Sequence, residues 1–363
     1  MLRALRALML ALALALAAVT KVSSQEAAAS GSNNGFDSTY VVDLTHQVTG
    51  RLFLSNKFNS MAIDDNRAVS HITYRPNTNV NFGAGVSYRA ITLNIAVGVP
   101  ALNRDDSLRG NTRYLDAQAN LFGRRFATNV FAQDYRGYYI DQLSFASEAG
   151  DSSYARAMRD ERLRPDMGQR NLGATVLHIV SNDRFSYRAA FNQDAWQRRS
   201  AGSWLVGGHL VYQGMRAQRP AVPDAIDSLW RAPLRFRRIE QIEFGTMGGY
   251  AHTFVILGRL YFSISASLGF GAVRSVSWVK DPEEYSRQVA WSPNVRSQAR
   301  VAAGYNDRRR CVGLSYVNEQ SQTLLEPGAV YGWSVGNFRL FYVRRFNMRI
   351  SPVDSLLRRN RRG

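Results

Sequence analysis

The chain has 363 residues and a formal net charge of +18, with 46 lysines and arginines against 28 aspartates and glutamates. Strong basicity indicates an anionic partner. The arginines are spread along the chain instead of gathering on one helix, which argues against nucleic acid and favours lipid phosphate or an acidic glycan. The mean hydropathy of -0.27 excludes a helical membrane protein. It does not exclude strands that alternate between lipid and lumen, because their hydropathy averages to near neutral.

The N-terminus has the features of a secretory signal peptide. Arg3 and Arg6 precede an apolar run over about residues 7–19, and small residues follow it. A transmembrane helix needs about 20 apolar residues, so this run is too short for a membrane anchor. We therefore predict a signal peptide at 1–24. Residues 25–39 are small and polar, and we predict a flexible lead-in there.

From about residue 50 onward the dominant pattern has a period of two. In the run 260–271, apolar residues from Leu260 to Phe270 alternate mainly with serines and glycines. Successive side chains of a strand point to opposite faces, so each run has one apolar face and one small or polar face. The other runs lie near 50–58, 80–88, 89–100, 113–121, 124–133, 171–180, 184–191, 203–212, 244–256, 295–305, 310–317 and 336–346.

The length of these runs favours a membrane barrel. Most have about nine to thirteen residues, which suits a tilted membrane-spanning strand of about 9–11 residues. Strands of soluble sandwiches are shorter, at about 5–6 residues. We therefore predict an all-β fold, a single antiparallel transmembrane β-barrel over residues 40–346. Thirteen runs are visible, whereas a bacterial barrel needs an even number, so 12 or 14 strands remain open.

The connections between the runs alternate in length. Short turns on one rim and long loops on the other are typical of barrels in the outer membrane of Gram-negative bacteria. The sequence therefore predicts the cell outer membrane as the location and its lipid as a partner. The short turns are expected at 88–91, 121–124, 181–184 and 256–260, and the long loops at 59–79, 134–170, 213–243 and 272–294.

The last run also carries a targeting pattern. Phe338, Tyr342 and Phe346 share one face of the strand, which closes on an aromatic residue. This looks like the terminal signal that the barrel-assembly machinery reads, so that machinery is an expected partner. Residues 347–363 follow as an arginine-rich tail, which is either a solvated end or an electrostatic contact with an anionic surface.

Several longer stretches carry a resemblance to a known family. They are LFLSNKFN at 52–59, YRPNTN at 74–79, GAGVSY at 83–88, YLD at 114–116, FAQDYRGYY at 131–139, FSYRAAFNQDAWQRRSAGSWLVGG at 185–208 and NFR at 337–339. In these stretches the chain resembles a family of Bacteroides-type bacteria known as domain of unknown function 4421, over about residues 37–346. The resemblance implies an outer-membrane barrel-like protein with no established activity.

No residues point to a metal site or a cofactor. None of the five histidines falls in the HExxH pattern of a zinc protease. The strongest enzymatic hypothesis is a lipid hydrolase at His178, Ser181 and Asn182, because outer-membrane phospholipases carry these residue types on a barrel rim. Here two residues separate the histidine from the serine, and the segment also fits an ordinary turn, so we assign no catalytic residue.

Two segments are the best candidates for a specific role, one at 75–77 and the other at 188–200. Both lie in the stretches that carry the family resemblance. Their candidate residues are Arg75, Pro76, Asn77, Arg188, Gln193, Trp196 and Ser200.

Arg188 and Asp116 are the candidates for a lumenal role. In the predicted strand 184–191, Arg188 lies opposite the aromatic residues, so we expect it to point into the lumen. There it would bind a small anionic solute or pair with an acidic residue such as Asp116. Tyr135 and Tyr138 precede a predicted extracellular loop and are expected in an aromatic belt at the membrane interface.

Three functions are compatible with this pattern. The first is a pore or solute-binding barrel, which requires space in the lumen. The second is a structural or surface-interaction barrel whose lumen is plugged by side chains. The third, less favoured, is an outer-membrane lipid hydrolase. The sequence does not choose between the first two.

Overall fold

The structure is a computed structural model that describes residues 35–348 apart from 79, 89–90, 100–105, 146–157, 160 and 282–283. The predicted signal peptide lies outside these residues, as do most of the predicted lead-in and the tail beyond Met348. Phe36, at the end of the lead-in, is buried against Val41, Ala189 and Ala195.

The described part of the chain is built from fifteen strands. In chain order they are β1 (Val41–Asp43), β2 (Val48–Asp65), β3 (Ser70–Arg75), β4 (Val80–Tyr88), β5 (Ile91–Gly98), β6 (Arg113–Phe122), β7 (Phe126–Ser144), β8 (Leu163–Ile179), β9 (Ala195–Gln197), β10 (Ala201–Arg216), β11 (Phe236–Ile256), β12 (Leu260–Asp281), β13 (Glu284–Asn306), β14 (Arg310–Glu326) and β15 (Ala329–Phe346). The connections contain the helices α1 (Asp106–Arg109) and α2 (Tyr187–Phe191) and 3₁₀ helices at Asp224–Leu229 and Ala232–Leu234.

Ten of the strands close into an antiparallel ring. Their order is β2, β3, β7, β8, β10, β11, β12, β13, β14 and β15. The ring closes where β2 pairs with β15, from Val48 with Phe346 to Asp65 with Ala329. We call the rim at which β2 begins and β15 ends the terminal rim, and the opposite rim the far rim. The predicted all-β antiparallel barrel is confirmed.

The strand count of 12 or 14 is not confirmed, because β4, β5 and β6 lie outside the ten-strand ring. The cause is a change of partner beside Pro76, which has no N–H to donate to a ladder and follows the last residue of β3. β2 pairs with β3 over residues 61–65 and with β4 over residues 49–56. The ring strand β3 therefore covers only the half of β2 nearest the far rim.

Below β3, toward the terminal rim, the wall contains a break. β5 hydrogen-bonds to β4, and β6 hydrogen-bonds to β7. Among the residues that the structure describes, no ladder joins β5 to β6. We call the gap between these two strand edges the seam.

The outer face of the barrel carries an apolar belt near the terminal rim. On β12 the exposed side chains run from Leu260 to Phe270, while Ser263, Ser265 and Ser267 face inward and are buried. The ten steps between Leu260 and Phe270, at about 3.4 Å each and tilted by about 40°, rise roughly 26 Å. This matches the apolar band of an outer-membrane barrel, which is about 25 Å tall. Belt residues on neighbouring strands include Leu54, Phe82, Val97, Trp204, Val206, Tyr250, Phe254, Leu314 and Leu340.

The strands continue past the belt toward the far rim, so the long loops expected at 59–79 and 272–294 are wrong. β12 and β13 have 22 and 23 residues. Above the belt the outward side chains include Arg274 and Lys280, and the apolar alternation that identifies a membrane strand fades. The long connections that remain are 145–162 and 217–235, and no strand is hidden in the second of these.

The strand expected at 184–191 is also wrong, although the turn expected before it at 181–184 is present. Residues 187–191 form α2, in a segment between β8 and β10 that packs inside the terminal rim. Tyr187, Ala189 and Ala190 are all buried. A single helical turn buried on most of its sides gives the same short apolar pattern as a strand, and periodicity alone does not separate the two.

We predict that Gly137→Ala destabilises the barrel. Gly137 has a φ of +89°, and an added Cβ would overlap the carbonyl oxygen of Asn111. Strain of this kind costs about 1–3 kcal/mol. The midpoint of urea unfolding in detergent, followed by the gel mobility of the unheated protein, should fall for this variant. Gly248→Ala is the matched control, because no atom lies within 4 Å of its added Cβ; equal midpoints for the two variants would contradict the prediction.

Candidate functional site

Buried ion pairs link the inward faces of three strands on one side of the barrel. Arg296 of β13 donates to Glu243 of β11 and to Glu319 of β14, each at 2.9 Å. Gln298 donates to Glu319 at 2.6 Å, and Ser321 donates to Glu243 at 2.6 Å. We call Glu243, Arg296 and Glu319 the brace. It ties together side chains from distant parts of the sequence inside the barrel.

The brace is buried, so water cannot reach a charge whose partner is removed. The side chain of Arg296 is fully buried, and those of Glu243 and Glu319 are nearly so. Moving a charge out of water costs several kcal/mol, and close pairing with further hydrogen bonds offsets that cost. The brace therefore depends on all three charges being present together.

A folded segment fills the lumen at the terminal rim. This plug consists of β1 and residues 181–200, and its two strands β1 and β9 pair with each other. Arg51 of β2 donates to the carbonyl of Asn192 at 2.7 Å, and Arg345 of β15 donates to the carbonyl of Gln193 at 2.6 Å. Asn306 donates to the carbonyl of Ala195 at 3.1 Å. The barrel wall thus holds the plug through its backbone.

A second segment covers the lumen at the far rim. This cap is residues 217–235, and its Val222, Ile226 and Trp230 are buried in one cluster with Ile63 and Tyr331 of the wall. Polar contacts fasten it as well. Arg164 donates to the carbonyl of Pro220 at 2.9 Å, and Arg231 forms an ion pair with Asp65 at 2.9 Å.

The structure brings part of the segment 188–200 together inside the plug. Arg188 forms an ion pair with Asp194 at 3.0 Å, instead of pairing with Asp116. Burial alone would lower the pKa of the Arg188 guanidinium, but the Asp194 carboxylate outweighs burial and raises this pKa above its ordinary value. The carbonyl of Gln193 accepts from Arg345. Arg188 therefore has a structural partner within the plug.

Trp196 and Ser200 connect the plug to the β11–β12 hairpin. The indole N–H of Trp196 donates to the carbonyl of Gly258 at 2.9 Å. The hydroxyl of Ser200 accepts from the backbone N–H of Val255 at 2.8 Å. Both contacts position the plug.

The segment 75–77 lies where β3 ends and does not meet the residues of the plug. Arg75 forms an ion pair with Asp141 of β7 at 3.1 Å. Asn77 donates through its side chain to the carbonyl of Gly110 at 3.0 Å, and its backbone N–H donates to the Thr112 hydroxyl at 2.8 Å. These bonds tie the end of β3 to the turn before β6.

Tyr135 and Tyr138 face the interior, so their expected place in an interfacial aromatic belt is wrong. The Tyr135 hydroxyl donates to Asp116 at 2.7 Å, and the Tyr138 hydroxyl donates to Gln169 at 3.0 Å. Asp116 also pairs with Lys57 at 3.2 Å. Asp116 is thus lumenal as expected, with Lys57 as its partner.

The residues of the hydrolase hypothesis do not form a nucleophile and base pair in the described structure. His178 packs its ring against Phe126, with centroids 5.2 Å apart. The side chain of Asn182 donates to the carbonyl of Ile179 and accepts from Arg124. The sequence at 181–183 folds as a turn.

The aromatic residues of the last strand point outward. Phe338, Tyr342 and Phe346 are exposed on one face of β15, as their spacing predicts. Their proposed recognition by the assembly machinery stays a prediction.

The interior contains a polar cavity of about 70 Å³ between the brace and the plug, reaching β6 and β7. Its lining combines amide and guanidinium groups with the Glu319 carboxylate and with apolar side chains such as Phe131 and Val335. Several of their atoms have no hydrogen-bond partner among the described residues: Asn129 Oδ1, Gln133 Nε2, Arg300 Nε, Asn337 Oδ1 and Arg339 Nε. Unpaired buried polar atoms are uncommon in folded proteins, and a concentration of them indicates a place for a polar ligand or water.

Sequence reasoning missed the residues of the brace and the cavity. Glu243 lies at the end of a predicted loop, and Arg296 and Arg300 lie in a run that was noted only for its apolar face. A signal exists, because Arg296, Gln298 and Arg300 recur at every second position and must share one face of a strand. Their partners lie on other strands, which only the register of the sheet reveals.

Neither a membrane-spanning helix nor a metal-binding cluster lies in the described residues. No helix in the described ranges is both long enough and apolar enough to cross a bilayer. Within the same ranges, no group of three or more His, Cys, Asp or Glu side chains is placed to hold a metal ion.

The sequence matches one family model over nearly all of the described barrel. The family is described as domain of unknown function (DUF4421), and the match covers residues 36–346. The chain belongs to this family. No curated protein sequence matches this DUF4421 chain.

Solved structures similar to this DUF4421 barrel are outer-membrane proteins. The outer membrane protease OmpT from Escherichia coli has a TM-score of 0.33 at 8% identity, with 84% of this chain and 98% of OmpT covered. The COG4313 outer membrane channel from Pseudomonas putida F1 has a TM-score of 0.23 at 10% identity, with coverages of 85% and 99%. The outer membrane protein opdK from Pseudomonas aeruginosa has a TM-score of 0.17 at 7% identity, with coverages of 82% and 99%.

We predict that Glu319→Leu strongly destabilises the barrel, because it leaves Arg296 and Arg300 with a single buried carboxylate. Breaking a buried pair by removing one partner costs about 3–5 kcal/mol. Urea unfolding of the purified protein in detergent measures the loss. Asp183→Asn is the control, since its pair with Arg184 is mostly exposed and such pairs contribute less than about 1 kcal/mol. A loss no larger than that of the control would show that the brace does not stabilise the fold.

Proposed function

We propose that this chain is an outer-membrane barrel with a closed lumen, which holds a small anionic group in its internal cavity instead of conducting solutes. The observation that carries this proposal is the closure of the lumen at three levels, by the plug, the brace and the cap. Between the plug and the brace, the described residues enclose a polar cavity.

The apolar belt supports the membrane location. Its side chains project outward from neighbouring strands over a height that fits the hydrocarbon core. An exposed apolar surface of this extent in water would drive aggregation. Backbone closure between β2 and β15 supports the same location, since a sheet in lipid needs paired edges.

The closed lumen argues against a pore. Each end carries a folded segment with buried apolar side chains. Between them the brace occupies one side of the interior, and Phe131 of β7 stacks on Trp333 of β15 with ring centroids 5.8 Å apart. An ion crossing the barrel would have to displace these groups. The filled lumen agrees with the second of the functions compatible with the sequence, and the cavity adds a binding site to it.

The charge of the interior favours an anionic ligand. Arg51 and Arg345 bind carbonyl and amide oxygens of the plug and wall, and Arg339 stacks on Phe53 at 4.6 Å. No ion pair is recorded for these three arginines in the described part of the chain. Arg339 lines the cavity. A guanidinium without a carboxylate in a low-dielectric interior attracts an anion.

The membrane location predicts that Trp204 is accessible to lipid. Trp204 is 65% exposed in the belt, whereas Trp230 is 1% exposed in the cap. In vesicles that contain brominated lipid, the quenched fraction of tryptophan fluorescence should therefore fall in Trp204→Phe, where Trp291 still contributes, and should not fall in Trp230→Phe. Equal quenching in wild type and Trp204→Phe, or a mature protein that is soluble without detergent, would contradict the location.

The closed lumen predicts that the purified mature protein forms no channel in planar bilayers. Insertion should add no conductance steps at low voltage, while a general porin in the same bilayer gives steps. Reproducible steps from the wild-type protein would reject the closed lumen and support the pore instead. Heat-dependent gel mobility of the same sample shows that the protein tested is folded.

A further inference from the structure

We propose that the seam between β5 and β6 is a lateral entrance from the bilayer to the cavity, and that the ligand is a single-chain anionic lipid. Its head group would lie at Arg339 and its acyl chain would pass out through the seam. This inference rests on the closed, membrane-embedded barrel proposed above.

The seam lies at the height of the apolar belt. Along the hydrogen-bonded rows, Leu340 pairs with Leu54, Leu54 with Phe82, and Phe82 with Val97 of β5. All four side chains are exposed on the outer face. Strand edges at this height face hydrocarbon, where an unpaired backbone polar group costs several kcal/mol. Because the opening leads to a polar cavity, polar groups of the cavity can hydrogen-bond to the unpaired backbone N–H and C=O groups of these strand edges.

The inner faces of the two strands show that the seam communicates with the cavity. On both strands, side chains that point toward the lumen are nevertheless exposed. They are Asn94 and Ala96 of β5 and Gln118 and Asn120 of β6. Asn81 on the neighbouring β4 points the same way and is buried. Gln118 and Asn120 are also part of the cavity lining. The barrel wall is therefore open at this point and not elsewhere along β4.

The cavity provides a head-group site. Arg339 and Asn337 of β15 face Asn129 of β7 across it, and Arg300 lies alongside. Arg339 Nε and Arg300 Nε have no hydrogen-bond partner among the described residues, and neither has the Asn129 or Asn337 side-chain oxygen. Two guanidinium groups bind the oxygens of a carboxylate or phosphate, and Gln133 Nε2, which also lacks a partner, adds an amide donor. Glu319 lines the cavity as well, with its oxygens held by Arg296, Gln298 and Arg300. The volume of about 70 Å³ admits a head group and no acyl chain.

The outer side of the seam provides a path for the acyl chain. Ile95 and Val97 of β5 are 66% and 63% exposed, and Leu115 of β6 is 69% exposed. Ala117 and Ala119 lie on the same outward face of β6 as Leu115 and are exposed too. Small residues between larger apolar ones leave a shallow groove in which a hydrocarbon chain buries apolar surface.

The end of the seam toward the far rim is closed. The Thr112 hydroxyl donates to the carbonyl of Gly137 at 2.7 Å and accepts from the backbone N–H of Asn77. These bonds join the end of β3, the start of β6 and the middle of β7. The opening therefore faces the bilayer sideways, and an amphiphile already in the membrane has the shortest way in.

The test is binding of oleate and of 1-oleoyl lysophosphatidic acid to the full mature protein in detergent, measured by native mass spectrometry. Acetate, inorganic phosphate and methyl oleate are the comparison probes. We expect both anionic lipids to bind, and methyl oleate, which has no charge, to bind at least about ten-fold more weakly. Acetate and phosphate should bind weakly as well, because they lack the chain.

Two variants separate the head-group site from the entrance. Arg339→Gln should lower the affinity for both anionic lipids about ten-fold or more, while Arg344→Gln, on the outward face of the same strand, should leave it unchanged. Ala119→Trp fills the groove and should lower binding of the lipids without changing that of phosphate. Folding of each variant is checked by heat-dependent gel mobility.

The outcomes are distinct. Loss of lipid binding in both Arg339→Gln and Ala119→Trp supports the inference. Lipid binding that survives Ala119→Trp overturns the lateral entrance, and phosphate binding as tight as that of the lipids overturns the amphiphile. No anionic lipid binding to a folded, non-conducting wild-type protein overturns the inference while the closed barrel stands. Conductance of the wild type instead rejects the proposed function itself.

Discussion

The need to pair every backbone polar group determines the architecture of this barrel. A sheet in hydrocarbon has no water to satisfy a free edge, so its first and last strands must meet. The ladder between β2 and β15 achieves this along the whole of both strands. The seam is the place where the described wall departs from that rule, and it does so beside the polar cavity. A local exception to so costly a constraint is where function is expected.

The interior follows a second constraint, which is set by charge. A ten-strand ring encloses little space, and the inward residues fill it with amides, hydroxyls and paired charges. The brace satisfies its own carboxylates, whereas Arg51 and Arg345 are satisfied by carbonyl oxygens of the plug. Asp194 lies close enough to attract both arginines, whereas Arg339 has no ion pair in the described part of the chain and stacks on Phe53 instead. A structure built only for stability gains nothing from burying such charge.

The sequence predicted the class of fold because alternation is a local property of a strand. It predicted the apolar half of β12 and the outward face of β15 for the same reason. It failed where two structures share one pattern, as at 184–191, and where strands rise above the apolar belt and their outer faces become mixed. The predicted strand count was wrong because β3 and β4 run in the same direction on either side of Pro76 but pair with different strands. β3 pairs with β2 and β7, whereas β4 pairs with β2 and β5, and only the pairing shows that β4 lies outside the ring.

The candidate site was less accessible to sequence reasoning than the fold. Asp116 lies in the lumen, where the sequence analysis places it. Of the two alternatives open for Arg188, an anionic solute or an acidic residue, the structure shows an acidic residue, which is Asp194 and not Asp116. Arg188 and Asp194 lie six residues apart in the plug, a distance that a strand would have kept open. Arg339, the central residue of the cavity, was taken only as part of a family-like stretch. Arg339 stands out because no acidic side chain in the described residues forms an ion pair with it. Only the folded structure shows which side chains lie near it.

The attachment of the plug has a consequence for how the barrel is built. Arg51 belongs to the first strand of the ring and Arg345 to the last, yet they hold adjacent carbonyls, those of Asn192 and Gln193. Two strands separated by nearly the whole chain therefore share one template from the middle of the sequence. In the folded barrel the plug thus bridges the two end strands at the terminal rim, where Val48 pairs with Phe346.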